Sequence, residues 1–303
     1  MLTRILVAAL ALSLATPSLA GPPKKPAPKA PASARHTYKL THEPITPNPG
    51  PSVLIHLMKG FKKSGPLNLV VYFHGIMNCI ESTVEAKAGA CKGGGGTAHG
   101  IINHADASSA NAVLIALEMA HKKNNTDTGH LAEDGYFGQI IDEVLPKIGA
   151  LAGRNYSRDD LGKVVLASHS GGYAAVGDVL AHGGMEIAGV LLFDSLYSNP
   201  KKTGPKERAC YDKYLTWAKS HTDGKLAIVY TKNGGTLANS QALAADVTAA
   251  VGAGSVFDER TLPDAKAMKS AGLNKPFVFV KSGFVHDDSV RFWLQSFLQH
   301  AGL

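Results

Sequence analysis

Apolar runs that alternate with helical patterns predict an α/β fold, with a mostly parallel eight-stranded sheet flanked by helices. The first observation is eight apolar or alternating runs, near residues 37–43, 52–58, 68–74, 111–117, 163–168, 188–194, 225–231 and 277–281. The second is helical periodicity between most of the later runs, which supplies the crossovers that parallel strands require. The third is the end of the chain, where Val290, Trp293, Leu294, Phe297 and Leu298 recur at helical spacing. Those side chains are predicted to face the sheet as core, not to line a ligand box.

Before the first run, Arg4, the apolar residues 5–15 and the small-residue site Ser18-Leu19-Ala20 predict a signal peptide over residues 1–20. That apolar run is too short to span a bilayer, and no later segment reaches about 18 uninterrupted apolar residues. A secreted or periplasmic protein with no transmembrane segment in the mature chain is expected. No cysteine follows the cleavage site, so a lipid anchor is not predicted. Residues 21–36 are rich in Pro, Ala and Lys and read as an extended linker, which leaves 37–303 as one folded domain. Five cationic residues (Arg4, Lys24, Lys25, Lys29 and Arg35) and no acidic ones lie in the first 36 residues, so most of the formal +7 charge belongs to this region. The basic balance therefore gives little support to a nucleic-acid partner. Contact of the linker with an anionic envelope surface is the remaining use for that charge, beside the plainer reading of a solvated linker.

Within the domain, the run at 68–74 ends in His74-Gly75, and the segment after it carries Cys79 and Cys91. Gly93 to Gly96 lacks the Gly-Lys-Ser/Thr ending of a phosphate loop and reads as a turn. His99 and His104 are expected in a helix without metal-ligand spacing, and there is neither H-E-x-x-H nor a paired C-x-x-C, so no metal or other cofactor is expected. The polar residues 126–136, with Asp127, His130, Glu133 and Asp134, follow a strand end and are candidates for a pocket rim. Residues 164–173 then pass from strand composition through a small-residue turn into a helix, with Ser170 at the apex. A serine on so sharp a turn needs small residues two before and two after it, here Ser168 and Gly172. Taken alone, this pentapeptide reads equally well as a glycine-rich turn with an incidental serine.

Two further strand ends add weight. The run 189–193 delivers Asp194 to a strand's C-terminal end, where open α/β sheets place their sites. The last strand leads into a loop bearing His286. Serine is a poor nucleophile at its own pKa, an imidazole can take its proton, and a carboxylate can orient the imidazole and stabilise the imidazolium. Each residue alone is weak, since a loop histidine is commonly solvated and an aspartate ending a strand is often a turn former. Ser170, Asp194 and His286 in that order, each at the end of its own strand, are a joint signal.

With S-x-S-x-G in place of G-x-S-x-G, the chain resembles the α/β-hydrolase superfamily. The resemblance implies an acyl-enzyme mechanism with Ser170 as nucleophile, His286 as base and Asp194 as acid. It also implies His74-Gly75 as the end of the oxyanion strand, and the backbone N–H groups of Ile76 and Gly171 as oxyanion donors. The acid more often follows the next strand, but residues 232–235 there contain no carboxylate, so Asp194 matches the minority pattern. Asp287 and Asp288 read as N-caps of the final helix. Cys79 and Cys91 are expected to form a disulfide that braces the oxyanion loop, with Cys210 left as a thiol packed near Tyr214 and Trp217; three buried thiols are the alternative. Only about 30 residues separate Asp194 from the next strand, so no large lid domain is expected. The implied activity is cleavage of carboxylic esters of a small-molecule or cell-envelope substrate. An amidase or peptidase with the same residues, and a non-catalytic wall- or ligand-binding protein on this scaffold, are the alternatives.

Overall fold

A computed structural model describes residues 34–87, 91–92, 95–198, 205–232, 235–252, 254–259 and 275–303. The expected signal peptide and all but the end of the expected linker lie outside these residues. The strands are β1 (Arg35–Tyr38), β2 (Val53–Leu57), β3 (Leu67–Phe73), β4 (Val113–Leu117), β5 (Leu161–His169), β6 (Gly189–Phe193), β7 (Lys225–Thr231), β8 (Gly254–Asp258) and β9 (Phe277–Ser282). They form one sheet in the order β1-β2-β4-β3-β5-β6-β7-β9-β8. Only the pairings of β2 with β1 and β4 are antiparallel, and the remaining ladders are parallel.

The helices are α1 (Ile80–Val84), α2 (Ile101–Ser108), α3 (Tyr136–Ala152), α4 (Tyr173–His182), α5 (Pro205–Ser220), α6 (Leu237–Val251) and α7 (Ser289–His300). Successive strand residues point to opposite faces, so the near-continuous apolar runs are buried on both sides. On one face Val71, Phe73, Leu166, Leu192 and Ile228 pack with Ile140 and Val144 of α3, Val176 of α4, Tyr214 of α5 and Leu243 of α6. On the other, Val70, Tyr72, Val165, Phe193 and Val229 meet Ile101 of α2 and Val290, Trp293, Leu294, Phe297 and Leu298 of α7. The terminal periodicity is therefore a core-facing stripe, as expected.

Three local expectations are corrected. The sheet has nine strands because β8, with its half-exposed pattern and Val256 62% exposed, lies at the edge; only one side of so short a strand is covered, so it lacks the strong apolar signature of its neighbours. Strand β1 begins at Arg35, inside the segment expected as linker, and ends at Tyr38, not near 43. The chain leaves the sheet there because the Thr41 and His42 N–H groups donate to the Glu143 carboxylate at 2.7 and 2.9 Å. Asp288 occupies the N-cap position of α7, but its backbone is helical and its side chain makes no cap hydrogen bond; it pairs with Arg291 at 3.4 Å instead.

Cys79 and Cys91 form a disulfide. Cys79 is also the N-cap of α1, where its sulfur accepts the Ser82 N–H, so the bridge ties that helix to the segment that follows it. Cys210 is a free thiol within α5, the helix that also carries Tyr214 and Trp217. Its burial pushes it up to about 12, which makes it an inert thiol. Among the described residues, α5 is the element between β6 and β7, and no further domain is inserted there. No helix among them is long and apolar enough to cross a membrane.

A Cys79→Ser, Cys91→Ser double variant is expected to lose up to about 3 kcal/mol of stability, the chain-entropy value for a loop of this size. Denaturant unfolding of the non-reduced and variant proteins measures it; equal midpoints would show that the bridge constrains nothing.

Candidate active site

Five neighbouring strands end at one edge of the sheet and set the positions of the candidate residues. The parallel register pairs Phe73 with Ser168, His169 with Phe193, Phe193 with Val229 and Thr231 with Ser282. His74, Ser170, Asp194 and the loop to His286 are therefore brought side by side by the ladder. Ser170, Ile76, Gly171 and His286 all line one cavity of about 510 Å³, together with His99, His169, Tyr173, Tyr197 and Asp287.

Ser170 opens the 3-10 turn between β5 and α4 with φ of +52°, a left-handed conformation that side-chain-bearing residues rarely hold without support. The support is a hydroxyl relay. The Ser168 and Ser195 hydroxyls are 2.8 Å apart, and Ser195 donates to the Ser170 carbonyl at 2.8 Å. Steric room comes from the glycines. A Cβ at Gly75 would fall 2.7 Å from the Ser170 Cβ, and one at Gly172 would fall 2.5 Å from the Phe73 carbonyl oxygen. Gly171 lies against Ile76: a Cβ built on it would be 3.3 Å from the Ile76 nitrogen. The two expected donor residues are thus neighbours beside Ser170. The loop after Ile76 is pinned where Met77 donates its N–H to Lys123 O at 2.9 Å and Asn78 O accepts the Lys122 N–H at 2.9 Å.

Asp194 also has positive φ, +46°, and its side chain is fully buried. Oδ2 lies 2.7 Å from His286 Nδ1. The Thr231 hydroxyl donates to Oδ2 at 2.5 Å, the Thr231 N–H to Oδ1 at 3.0 Å, and the Thr236 hydroxyl also to Oδ1. Burial pushes the carboxyl up, but the bonds from His286, Thr231 and Thr236 outweigh it and hold Asp194 below its ordinary value. An ionised Asp194 accepts from His286 Nδ1–H, which leaves Nε2 as the nitrogen able to take a proton.

His74 is buried behind the loop, with Nδ1 2.7 Å from Gly75 O and Nε2 3.0 Å from the Met119 nitrogen and 3.2 Å from Glu118 Oε1. Glu118 is 1% exposed; it also accepts the Ile80 N–H at 2.9 Å and lies 3.1 Å from His121 Nδ1. Burial would raise this carboxyl, and neighbouring His74 together with the hydrogen bonds from His121 and the Ile80 N–H brings it down instead. Glu118 thereby joins β4, the His74 loop and the start of α1.

The rings of His99, His169 and His286 form a row, with centroids 4.4 Å apart between the first two and 4.5 Å between the last two. Burial, with the nearby charge of Arg291, lowers His99 to about 3. Burial and its histidine neighbours lower His169 well below the usual range as well. Both rings are neutral at physiological pH. Tyr197, bonded to the Ser170 side chain, is pushed up to about 12, first by burial and then by the Asp194 charge.

The structure thus brings together Ser170, Asp194, His286, Ile76, Gly171, His74 and Gly75. His104 lies in α2, whereas His99 precedes that helix and meets His169 through tertiary contact alone. Of residues 126–136, Thr126 lines the cavity; His130 pairs with Glu133 at 2.7 Å and Asp134 with His182 at 2.8 Å. Sequence reasoning missed Ser195, Thr231, Thr236 and Glu118. Only Glu118 carried a usable signal, a carboxylate at the end of an apolar strand like Asp194.

Among solved structures, the chain is similar to a feruloyl esterase module from Clostridium thermocellum complexed with sinapinate. The TM-score is 0.53 at 12% identity, covering 91% of this chain and 89% of that one. It is similar also to a protein designated FAE, with a TM-score of 0.52 at 14% identity and the same two coverages. No protein-family model and no curated protein matches the sequence. The chain has an α/β-hydrolase-type fold.

Because Asp194 is held below its ordinary value, its bonds stabilise the protein fully above the unfolded value near 3.8, and that stabilisation is lost as pH falls through the folded value. Thr231→Val removes one donor and raises the folded value, so it should cost about 1.5–3 kcal/mol near neutrality, as expected for a bond to a charged group. The cost should shrink in acid. Urea unfolding across this pH range tests it, and a pH-independent loss would assign Thr231 a packing role.

Proposed function

We propose that this protein is an exported serine hydrolase that cleaves carboxylic esters through an acyl-enzyme, with Ser170 as nucleophile, His286 as general base and acid, and Asp194 as the orienting carboxylate. The observation that carries this reading is the 2.7 Å bond between Asp194 Oδ2 and His286 Nδ1 at the cavity into which the strained Ser170 opens. In the first half-reaction His286 Nε2 takes the Ser170 proton as Oγ attacks the ester carbonyl carbon. The negative charge that develops on the carbonyl oxygen is met by the Ile76 and Gly171 N–H groups. The tetrahedral intermediate collapses, the C–O bond to the alcohol breaks, and imidazolium returns its proton to the leaving oxygen. Water, deprotonated by His286, then releases the acid and restores Ser170. Asp194 holds the Nδ1–H tautomer throughout and stabilises the imidazolium.

The feruloyl esterase module acts as a guide to substrate: a small-molecule carboxylic ester, aromatic acyl groups included, is the class to screen first, with the matching amides alongside. Export draws support from the Cys79–Cys91 disulfide, since such bonds persist in oxidising compartments.

A fluorophosphonate probe should modify Ser170 alone. Ser170→Ala should fold and lose nearly all turnover, keeping roughly 10³–10⁴-fold acceleration over water. Asp194→Asn should lower kcat by up to about 10⁴-fold, while Asp288→Asn should not. Wild-type turnover by Ser170→Ala, or labelling elsewhere, would overturn the reading.

A further inference from the structure

One wall of the cavity holds three metal-ligating side chains that the acyl-transfer steps leave unused. A ring nitrogen of His99, a ring nitrogen of His169 and a carboxylate oxygen of Asp287 lie within 4.8 Å of one another, and all three residues line the cavity. His99 is 1% exposed, yet neither of its ring nitrogens has a hydrogen-bond partner among the described residues. Buried polar groups are ordinarily bonded, so an imidazole left with two orphan nitrogens at a cavity wall asks for a ligand. His169 Nε2 lies 3.2 Å from the His286 carbonyl oxygen. A carbonyl only accepts, so Nε2 carries the proton and Nδ1 the lone pair. That is how metal-binding histidines are held, one N–H fixed by an acceptor and the other nitrogen turned to the ion.

We infer that His99, His169 and Asp287 form a binding site for a zinc-class divalent cation, open towards the cavity, and that an ion bound there obstructs substrate entry. Two imidazoles and one carboxylate suit Zn²⁺, Co²⁺ or Ni²⁺, whereas Ca²⁺ and Mg²⁺ require oxygen ligands. Around a tetrahedral ion with bonds of about 2.0–2.2 Å the ligand atoms stand roughly 3.3 Å apart, so the group must draw in by up to about 1.5 Å. Asp287 is exposed and can make that movement. Three protein ligands leave a fourth position for water or a substrate oxygen. The opposing charge of nearby Arg291 is engaged elsewhere, by Ala98 O at 2.9 Å and Asp288 at 3.4 Å. The two flanking ligands also adjoin the proposed catalytic residues, since His169 precedes Ser170 and Asp287 follows His286. An ion with its water therefore takes up space beside Ser170. Obstruction rests on the ester-hydrolase reading; ion binding does not.

The test is a Co²⁺ titration of the full, chelator-treated chain, read by the visible absorption of tetrahedral Co²⁺. One Co²⁺ should bind per chain and be displaced by Zn²⁺. His99→Asn and Asp287→Asn should each weaken binding by about 100-fold or more, a loss at least as large as that caused by removing partners one shell further out. Ser170→Ala should bind as the wild type does, even if the hydrolase reading fails. Zn²⁺ should raise KM for a carboxylic ester severalfold in the wild type and leave KM of Asp287→Asn unchanged. Absence of tetrahedral Co²⁺ absorption, or undiminished binding by His99→Asn and by an Asp287→Asn protein with wild-type circular dichroism, would overturn the site. An unchanged wild-type KM with Zn²⁺ bound would overturn the obstruction.

Discussion

A carboxylate removed from water must have its charge met by donors, and Asp194 meets that requirement by drawing four parts of the chain to one point. It sits at the end of β6, takes the N–H and hydroxyl of Thr231 from the end of β7, takes the Thr236 hydroxyl from the start of α6, and holds His286 from the loop after β9. Each of these loops could wander by itself. The shared carboxylate restricts them together, and the His286 ring is oriented as a consequence. The parallel ladder supplies the coarse alignment, since β6, β7 and β9 are adjacent and in register; hydrogen bonding supplies the last ångström.

Ser170 depends on the same economy of space. Its left-handed backbone brings its side chain close to Gly75, and the turn passes so near the end of β3 that Gly172 faces the Phe73 carbonyl. The hydroxyl relay from Ser168 through Ser195 then gives the Ser170 carbonyl a second donor, beside the Tyr173 N–H that it accepts across the 3-10 turn. Ser195 follows Asp194 in sequence, so one short segment supports both the turn and the carboxylate. Serine at position 168, where the resembling pattern has glycine, thus serves as more than a small residue.

On the far side of the cavity the His74 loop is stiffened by Glu118, a buried carboxylate tied to His74, His121 and the Ile80 N–H, and by the Cys79–Cys91 disulfide a few residues on. Two buried carboxylates thus brace opposite walls. Both are held below the ordinary value despite burial, because hydrogen bonds to the charged form outweigh the loss of solvation.

Local pattern alone determined the α/β class, eight of the nine strands, the core stripe of α7, and the strand ends that carry Ser170, Asp194 and His286. Those features are readable because each is short-range: an apolar run, a 3.6-residue period, or a polar residue placed just past a strand. The edge strand β8 and the early exit from β1 were not readable, since one is half solvated and the other turns on a carboxylate about a hundred residues away. Tertiary structure alone decided that Thr231 and Thr236 serve Asp194, that Ser195 bonds Ser168, and that His99 meets His169. Hydroxyls and imidazoles are common on surfaces and in turns, and their spacing in sequence bears no relation to the distance between them once the strands are paired. What they do is set by which loops the sheet brings together, and that is a property of the assembled fold.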